Sequence, residues 1–272
     1  MGDLTVVAIG DSITLGVGDG VDRPSGDVGW AAHAAVALGA SRFANLARNG
    51  TRARDLAAGQ VGAASALDPD VVLMTVGGND VLRADFSPHE IEDATRTAIE
   101  ALRRSGALVV IVTLTPIRLF ELCPERVEAV MARRIERANA ALLAAASCAG
   151  ALVVDGAAVM ALRGPAAWHV DRIHPSPAGH RALAERAVGL LPWPQAREIP
   201  AAPRPATASR TVWWLARNGV PWIVKRSRDL IPHVVAVVAS EVRAAKAIEA
   251  RAARALIDER GRIRREGRST HA

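Results

Sequence analysis

Four short polar segments of this 272-residue chain carry side chains that can perform acyl transfer. In chain order they are Gly10–Ser12, Asn45–Gly50, Gly77–Asp80 and Asp171–Pro175. Together they supply a serine hydroxyl, glycine N–H groups, an asparagine carboxamide and an Asp-x-x-His pair. Acyl transfer needs such parts, because the nucleophile requires a base to take its proton and the developing oxyanion requires hydrogen-bond donors.

Short apolar runs that predict buried strands precede these segments. The predicted strands are Leu4–Ile9, Phe43–Leu46, Val71–Val76, Leu108–Leu114 and Ala151–Val154. Helical patterns follow at Gly29–Leu38, Pro88–Ser105, Pro124–Cys148 and Pro177–Leu191. Strands that are apolar on both faces and alternate with helices indicate a parallel sheet covered on both sides. The predicted fold is therefore α/β, a three-layer α/β/α sandwich with a mainly parallel five-stranded sheet.

The four polar segments all follow predicted strands, where an open parallel sheet binds its ligands. Taken singly, they have plainer interpretations: Ser12 can cap the next helix, and Asn49-Gly50 is a strong turn dipeptide. Other catalytic signatures are missing from the sequence. It contains no Gly-x-Ser-x-Gly elbow, no phosphate-binding loop ending in Gly-Lys-Ser/Thr, no dinucleotide-type glycine spacing and no Cys/His cluster.

Taken together, the segments resemble the sequence blocks of the SGNH hydrolases, also called the GDSL lipase/esterase family. The blocks are Gly10-Asp11-Ser12-Ile13, then Gly50, then Gly77-x-Asn79-Asp80, then Asp171-x-x-His174. Their order and approximate spacing match over residues 4–191. The resemblance implies a flavodoxin-like sheet and a serine ester hydrolase with no metal or organic cofactor.

The resemblance also implies a role for each residue. Ser12 is the nucleophile, His174 the general base, and Asp171 the carboxylate that orients the His174 ring. The oxyanion hole combines the Ser12 and Gly50 N–H groups with the Asn79 carboxamide. The other acidic residues of the blocks, Asp11 and Asp80, and the other histidines of the chain are interpreted as structural.

Several functions remain open at this stage. The first is hydrolysis of a carboxylic ester, of a lipid, an acetylated carbohydrate or a small molecule, through an acyl-enzyme. The second is acyl transfer to an alcohol at the same site, and the third is a membrane-associated module without catalysis. The loops Gly16–Val28 and Arg118–Pro124 are expected to border the substrate, the second as an apolar acyl wall.

Half of the residues are hydrophobic and 23% are charged, which excludes a wholly disordered protein. Charge is uneven along the chain. Residues 1–194 contain 18 basic and 21 acidic residues, a net charge of −3, whereas residues 195–272 contain 16 and 7, a net charge of +9. The two cysteines, Cys123 and Cys148, are predicted to be buried free thiols. With no recognisable signal peptide, a cytoplasmic protein is expected, and peripheral contact with the inner face of the membrane is the open alternative.

Composition predicts three parts: a catalytic domain (1–191), a proline-rich linker (192–210) and a basic helical C-terminal extension (211–272). Residues 211–246 hold Trp213, Trp214 and Trp222 beside several basic residues. Tryptophan next to Arg or Lys is typical of contact with an anionic membrane surface. The alternative is that this apolar material packs back on the catalytic domain. Nucleic-acid binding is disfavoured, because no recognition motif accompanies the charge.

Overall fold

A computed structural model describes residues 3–20 and 28–203, together with Ala239 and Arg243. Most of the loop predicted to border the substrate at residues 16–28 lies outside the described residues. The later part of the predicted linker and nearly all of the predicted C-terminal extension also lie outside them.

The described chain alternates strands and helices. The strands are β1 (Thr5–Gly10), β2 (Arg42–Asn45), β3 (Val71–Thr75), β4 (Leu108–Val112) and β5 (Leu152–Val154). The helices are α1 (Ser12–Leu15), α2 (Gly29–Leu38), α3 (Ala53–Gly59), α4 (Val61–Ser65), α5 (Gly78–Val81), α6 (Pro88–Arg104), α7 (Glu125–Ala149), α8 (Gly156–Arg163) and α9 (Pro177–Val188). Two 3₁₀ turns occupy Arg118–Leu122 and Gly164–Ala167. Sequence patterns did not predict the short helices α3, α4, α5 and α8.

All five strands are parallel, in the order β2-β1-β3-β4-β5. From β1 the chain first moves to one edge of the sheet and then returns to build the other side. The strand order therefore reverses between β1 and β3, and such a switch point opens a crevice at the carboxyl ends of the strands. The predicted three-layer α/β sandwich with a five-stranded parallel sheet is confirmed.

Two apolar layers flank the sheet. On one face α3, α4, α6 and α7 pack over alternate strand residues such as Val7, Val72 and Val109. On the other face α2, α8 and α9 cover the intervening residues, such as Val6 and Val71. The three central strands β1, β3 and β4 are buried on both faces, so each reads as a nearly continuous apolar run in the sequence, whereas the edge strand β2 (RFAN) is partly exposed.

The end of β1 lies unusually close to β3. Gly10 has φ +120°, and a Cβ atom built there would lie 2.0 Å from the carbonyl oxygen of Thr75. Only glycine fits this approach, because any larger residue would collide with the neighbouring backbone. The segment that follows β1 therefore starts directly beside the end of β3.

The chain beyond α9 stays in contact with this body. The N–H groups of Ala196 and Arg197 donate to the carbonyl of Ala37, at 2.7 and 3.1 Å, and Trp193 and Ile199 pack against the α2–α9 layer. At least the first half of the predicted linker is thus packed along α2.

Both cysteines are free thiols, as predicted. The prediction that they are buried is wrong, because Cys148 is exposed and Cys123 is half-buried. Within the described residues, no helix combines the length and the apolar character needed to cross a bilayer.

Candidate active site

Ser12 is the first residue of α1, immediately after β1. The helix is capped by Asp11, whose Oδ1 accepts from the N–H of Ile13 at 3.0 Å. Asp11 also accepts from the hydroxyl of Thr75 on β3, at 2.8 Å. Asp11 rather than Ser12 is therefore the capping residue, which leaves the Ser12 hydroxyl available for another partner.

That partner is His174, 162 positions further along the chain. The Ser12 Oγ atom lies 2.9 Å from His174 Nε2, and both residues are largely buried. On the other side of the ring, His174 Nδ1 lies 2.8 Å from Asp171 Oδ2. With Nδ1–H donating to Asp171, the Nε2 atom is free to accept the serine proton.

Asp171 is held in place by its own backbone. Its Oδ1 accepts from the N–H groups of Ile173 and His174, at 2.9 and 3.0 Å. Burial tends to raise the pKa of this carboxyl, but hydrogen bonds from His169 and His174 more than offset it and hold the pKa well below its usual range. Asp171 is therefore a carboxylate near neutral pH.

His169 is a second imidazole at the same carboxylate, with its Nδ1 3.2 Å from Asp171 Oδ2. Sequence reasoning grouped it with the structural histidines. The only available signal was its position two residues before Asp171, and the backbone turn that brings His169 and Asp171 together is not visible in residue types. Arg172 closes that turn, with φ +58° and its N–H bonded to the His169 carbonyl at 3.0 Å.

Asn79 lies in α5, directly after β3. Its Nδ2 donates one hydrogen to the carbonyl of Thr51 at 3.0 Å, so that the second N–H remains for another acceptor. Gly50, the residue before Thr51, has φ +88°, a conformation that glycine adopts without strain. The structure thus places Asn79 next to the Gly50 turn.

A buried ion pair joins the same two loops. Asp80 is almost fully buried and accepts from Arg52 Nε and from the N–H of Ala53, both at 3.1 Å. Burial raises the pKa of Asp80 above its ordinary value. The hydrogen bonds from Ala53 and Arg52 lower it, but by less than burial raises it. Sequence analysis interpreted Asp80 as structural, but nothing in the sequence pointed to Arg52 as its partner.

A third network supports the loop after Ser12. His180 on α9 is fully buried; its Nδ1 accepts from the N–H of Trp30 at 3.1 Å, and its Nε2 donates to the carbonyl of Val17 at 2.9 Å. Asp19 accepts from His33 at 2.6 Å and from Arg181 at 3.0 Å. Burial lowers the pKa of His180 to about 4, so the ring is neutral near neutral pH.

An open cleft begins at Ser12 and His174. Its lining also includes Asn79 and Ile117. The expected acyl wall, Arg118–Pro124, is not part of the lining, although Ile117 directly precedes it. Among the residues that the structure describes, no group of three His, Cys, Asp or Glu side chains could hold a metal ion.

Comparison with known proteins identifies the family of the chain. Residues 8–182 match the model of the GDSL-like Lipase/Acylhydrolase family. An alpha/beta hydrolase enzyme from the metagenome of Lake Arreo, Spain, is 28% identical, with a TM-score of 0.55 over 69% of this chain and 95% of that one. A catalytic mutant of an acetylxylan esterase from Geobacillus stearothermophilus is 26% identical, with a TM-score of 0.57 over 72% and 97%. No curated protein matches the chain.

The family match covers well over half of the chain, and the structural neighbours share its overall fold. The chain therefore belongs to the GDSL-like Lipase/Acylhydrolase family and is a carboxylic ester hydrolase.

Proposed function

We propose that the protein hydrolyses its ester through a covalent acyl-enzyme on Ser12, with His174 as general base and Asp171 as the residue that orients it. The observation that carries the proposal is the continuous chain of hydrogen bonds from Asp171 through His174 to Ser12, at 2.8 and 2.9 Å. Ser12 and the Asp171–His174 pair are distant in sequence. They meet because the end of β1 and the loop before α9 lie at the same edge of the sheet, where the parallel strands end.

In the first half-reaction the Ser12 oxygen attacks the ester carbonyl carbon while His174 Nε2 takes the serine proton. The tetrahedral intermediate carries a negative oxygen, and its collapse releases the alcohol, which takes the proton back from His174. Asp171 stabilises the imidazolium that forms between these steps. Water then attacks the acyl-enzyme in the same way, which releases the acid and restores Ser12.

The proposed oxyanion hole consists of the N–H groups of Ser12 and Gly50 and the Nδ2–H of Asn79. The hydrogen bond from Asn79 to the Thr51 carbonyl supports this assignment, because it holds the carboxamide beside the Gly50 turn before substrate arrives. Donors that are already in place need no reorganisation during the reaction, which makes them effective in the transition state.

The Ser12→Ala variant tests the mechanism. It should fold normally and lose activity toward p-nitrophenyl esters by a factor on the order of 10⁴–10⁶, the size of loss seen when a triad member is removed. It should also lose labelling by a fluorophosphonate probe. Ser41→Ala is the matched control, because Ser41 lies just before β2, at the amino ends of the parallel strands, whereas Ser12 follows the carboxyl end of β1. Full activity in purified Ser12→Ala protein would show that another residue is the nucleophile.

A further inference from the structure

Asp171 accepts hydrogen bonds at both of its oxygens, and the two oxygens have different partners. Oδ1 accepts from the backbone N–H groups of Ile173 and His174, at 2.9 and 3.0 Å. Oδ2 lies 2.8 Å from His174 Nδ1 and 3.2 Å from His169 Nδ1. The backbone therefore fixes the direction of the carboxylate, whereas two imidazoles share the oxygen that faces the proposed general base.

The loop that carries these residues also holds His169 in place. The backbones of Trp168 and Pro175 pair in an antiparallel bridge. Next to this bridge, the His169 N–H donates to the carbonyl of His174 at 2.9 Å. The loop after α1 packs on the same spot, because a Cβ atom built at Gly18 would lie 3.4 Å from His169 Cβ and 2.1 Å from the Pro175 carbonyl oxygen. The His169 side chain is only 19% exposed, so its approach to the carboxylate is a fixed part of the loop.

The contact with Asp171 identifies which ring nitrogen of His169 carries a hydrogen. A carboxylate oxygen only accepts hydrogen bonds, so a bare nitrogen 3.2 Å away would place two lone pairs against each other. The backbone nitrogen of Asp171 also lies near His169 Nδ1, but at 3.5 Å, the limit of a hydrogen bond. The shorter contact therefore sets the tautomer, and His169 Nδ1–H donates to Asp171 Oδ2.

A second donor at the shared oxygen reduces what the carboxylate offers to His174. The negative charge of Asp171 stabilises the imidazolium that forms when His174 takes the proton of Ser12. A hydrogen bond from His169 to that charge draws on the same oxygen and weakens the bond to His174 Nδ1. His174 is then less basic, so it stays neutral and able to accept a proton at a lower pH.

We propose that His169 is a positioning residue that acts through Asp171: its Nδ1–H takes up part of the carboxylate charge and thereby extends the activity of His174 as a base to lower pH. The inference rests on the proposed function, because it takes His174 as the base that activates Ser12. His169 lies outside the Asp171-x-x-His174 block, and it affects the reaction only through the carboxylate that it shares with His174.

Other charged or titratable side chains surround the loop of His174 and are left unchanged in the test. They are Asp11 before α1, Asp19 after it, Arg83 after α5, Arg118 and Glu121 in the 3₁₀ turn that contacts the loop, Arg172 in the loop and His180 on α9. Burial raises the pKa of Asp11 to about 6, so Asp11 contributes to the acid side of the pH profile in every variant alike. A difference between variants at position 169 therefore reports His169.

The acid limb of the pH profile of kcat/KM tests the inference, because it reports the protonation of the base in the free enzyme. His169→Phe keeps a ring but removes the donor, and its acid limb should move to higher pH by about 0.5–1. Below the midpoint, kcat/KM for p-nitrophenyl butyrate should therefore fall roughly three- to tenfold relative to its plateau. His169→Asn keeps a donor, because Asn Nδ2 takes the place of His Nδ1, and its limb should stay at that of the unmodified protein.

His89→Asn is the matched control, because His89 also pairs with an aspartate, Asp93, but is exposed on α6, and its pH profile should equal that of the unmodified protein. NMR titration of the His174 imidazole, assigned with His174→Gln, measures the same change without turnover. Thermal melting shows whether each variant is folded. If His169→Phe does not fold, His169→Leu removes the donor as well and gives the same comparison.

The outcomes separate the inference from the proposed function. An acid limb that does not move in folded His169→Phe, or that moves equally in His169→Asn, would overturn the inference and leave the Ser12 mechanism intact. Movement to lower pH would also overturn it, since Asp171 would then have lost its hold on His174. Absence of ester hydrolysis and of fluorophosphonate labelling in the unmodified protein would contradict the proposed function, while the NMR titration would still decide whether His169 lowers the proton affinity of His174.

Discussion

At the scale of single residues, the site is built from groups whose protonation is set by their surroundings. Asp171 receives two backbone N–H groups and two imidazoles, so it remains ionised even though it is largely buried. That permanent negative charge keeps the Nδ1 proton on His174 and leaves Nε2 facing Ser12. In this tautomer the proposed base is ready to accept the Ser12 proton before any substrate binds.

Asn79→Ala should reduce turnover much more than it weakens substrate binding. The oxyanion exists only along the reaction path, and the loss of one such donor lowers kcat by about 10²–10³. Steady-state kinetics on p-nitrophenyl butyrate measure both constants, and circular dichroism shows whether the variant is folded. A variant with normal kcat and a raised KM would instead place Asn79 in ground-state binding.

Two buried groups should give opposing pH effects on stability. Burial raises the pKa of Asp11 to about 6 and lowers that of His180 to about 4. Between pH 6.5 and 4, His180 is protonated in the unfolded state but neutral in the folded state, so acidification destabilises the fold. Between pH 6 and 3.8 the folded state binds a proton at Asp11 that the unfolded state lacks, so acidification stabilises it.

Asp11→Asn separates these two contributions, because it removes the stabilising one and retains a side chain that can cap α1. Each shift corresponds to about 3 kcal/mol at full effect. The free energy of unfolding, measured in urea at pH 7, 6, 5 and 4, should therefore fall more steeply with acidification in Asp11→Asn than in the unmodified protein. Equal slopes for the two proteins would show that Asp11 does not take up a proton on folding in this range.

At the scale of elements, the site depends on loops that neighbouring strands bring together and that specific contacts then fix. The loops after β2 and β3 are joined by the Arg52–Asp80 pair, and the loop after β1 is joined to α2 and α9 through His180 and Asp19. Polar contacts suit this task better than apolar packing, because each donor and acceptor is satisfied in only one geometry.

Arg52→Ala should destabilise the fold by about 1–3 kcal/mol, since it leaves the buried Asp80 carboxylate without its cationic partner. It should also lower kcat, because Asn79 directly precedes Asp80. Arg54→Ala is the matched control: Arg54 pairs with Asp85 and Glu90 but is exposed, so its removal should change stability little. Thermal melting and kcat should both distinguish the two variants, and equal effects would contradict a specific role for Arg52.

At the scale of the whole molecule, a body of charge −3 is joined to a segment of charge +9. The first part of the segment that joins them is held on the body. Ala196 and Arg197 are hydrogen-bonded to α2, and Arg181 Nε donates to the carbonyl of Pro200 at 2.7 Å. A truncation that spares the body must therefore follow these contacts, which places it after Pro203.

Vesicle sedimentation tests the proposed membrane contact of residues 211–246. Full-length protein should bind vesicles that contain anionic lipid and should bind less as salt increases, because exposed charges are screened beyond about 8 Å at physiological ionic strength. Protein that ends at Pro203 should stay unbound and keep its esterase activity. If neither form binds and the truncated one aggregates, the segment is instead a packed part of the fold.

Much of the fold could be predicted because its central strands β1, β3 and β4 are buried on both faces and therefore read as nearly continuous apolar runs. The predicted bounds of β3 and α2 agree with the structure to within one residue. The short helices were missed for a physical reason: α5 spans only Gly78–Val81, too short for a helical period to show, and it forms because Gly77 adopts a left-handed conformation after β3.

The sequence by itself determined the family, the order of the strands along the chain and the local Asp171-x-x-His174 unit, because these depend on residue types and on spacings of a few positions. Only the tertiary structure decided the 2.9 Å contact between Ser12 and His174, the partners of Arg52 and His180, the turn that brings His169 to Asp171, and the cleft beside Ser12. Apart from the His169 turn, each of these joins side chains from elements far apart in sequence. Their meeting depends on the reversal of strand order between β1 and β3 and on the packing of helices over the sheet, which no local pattern of residues encodes.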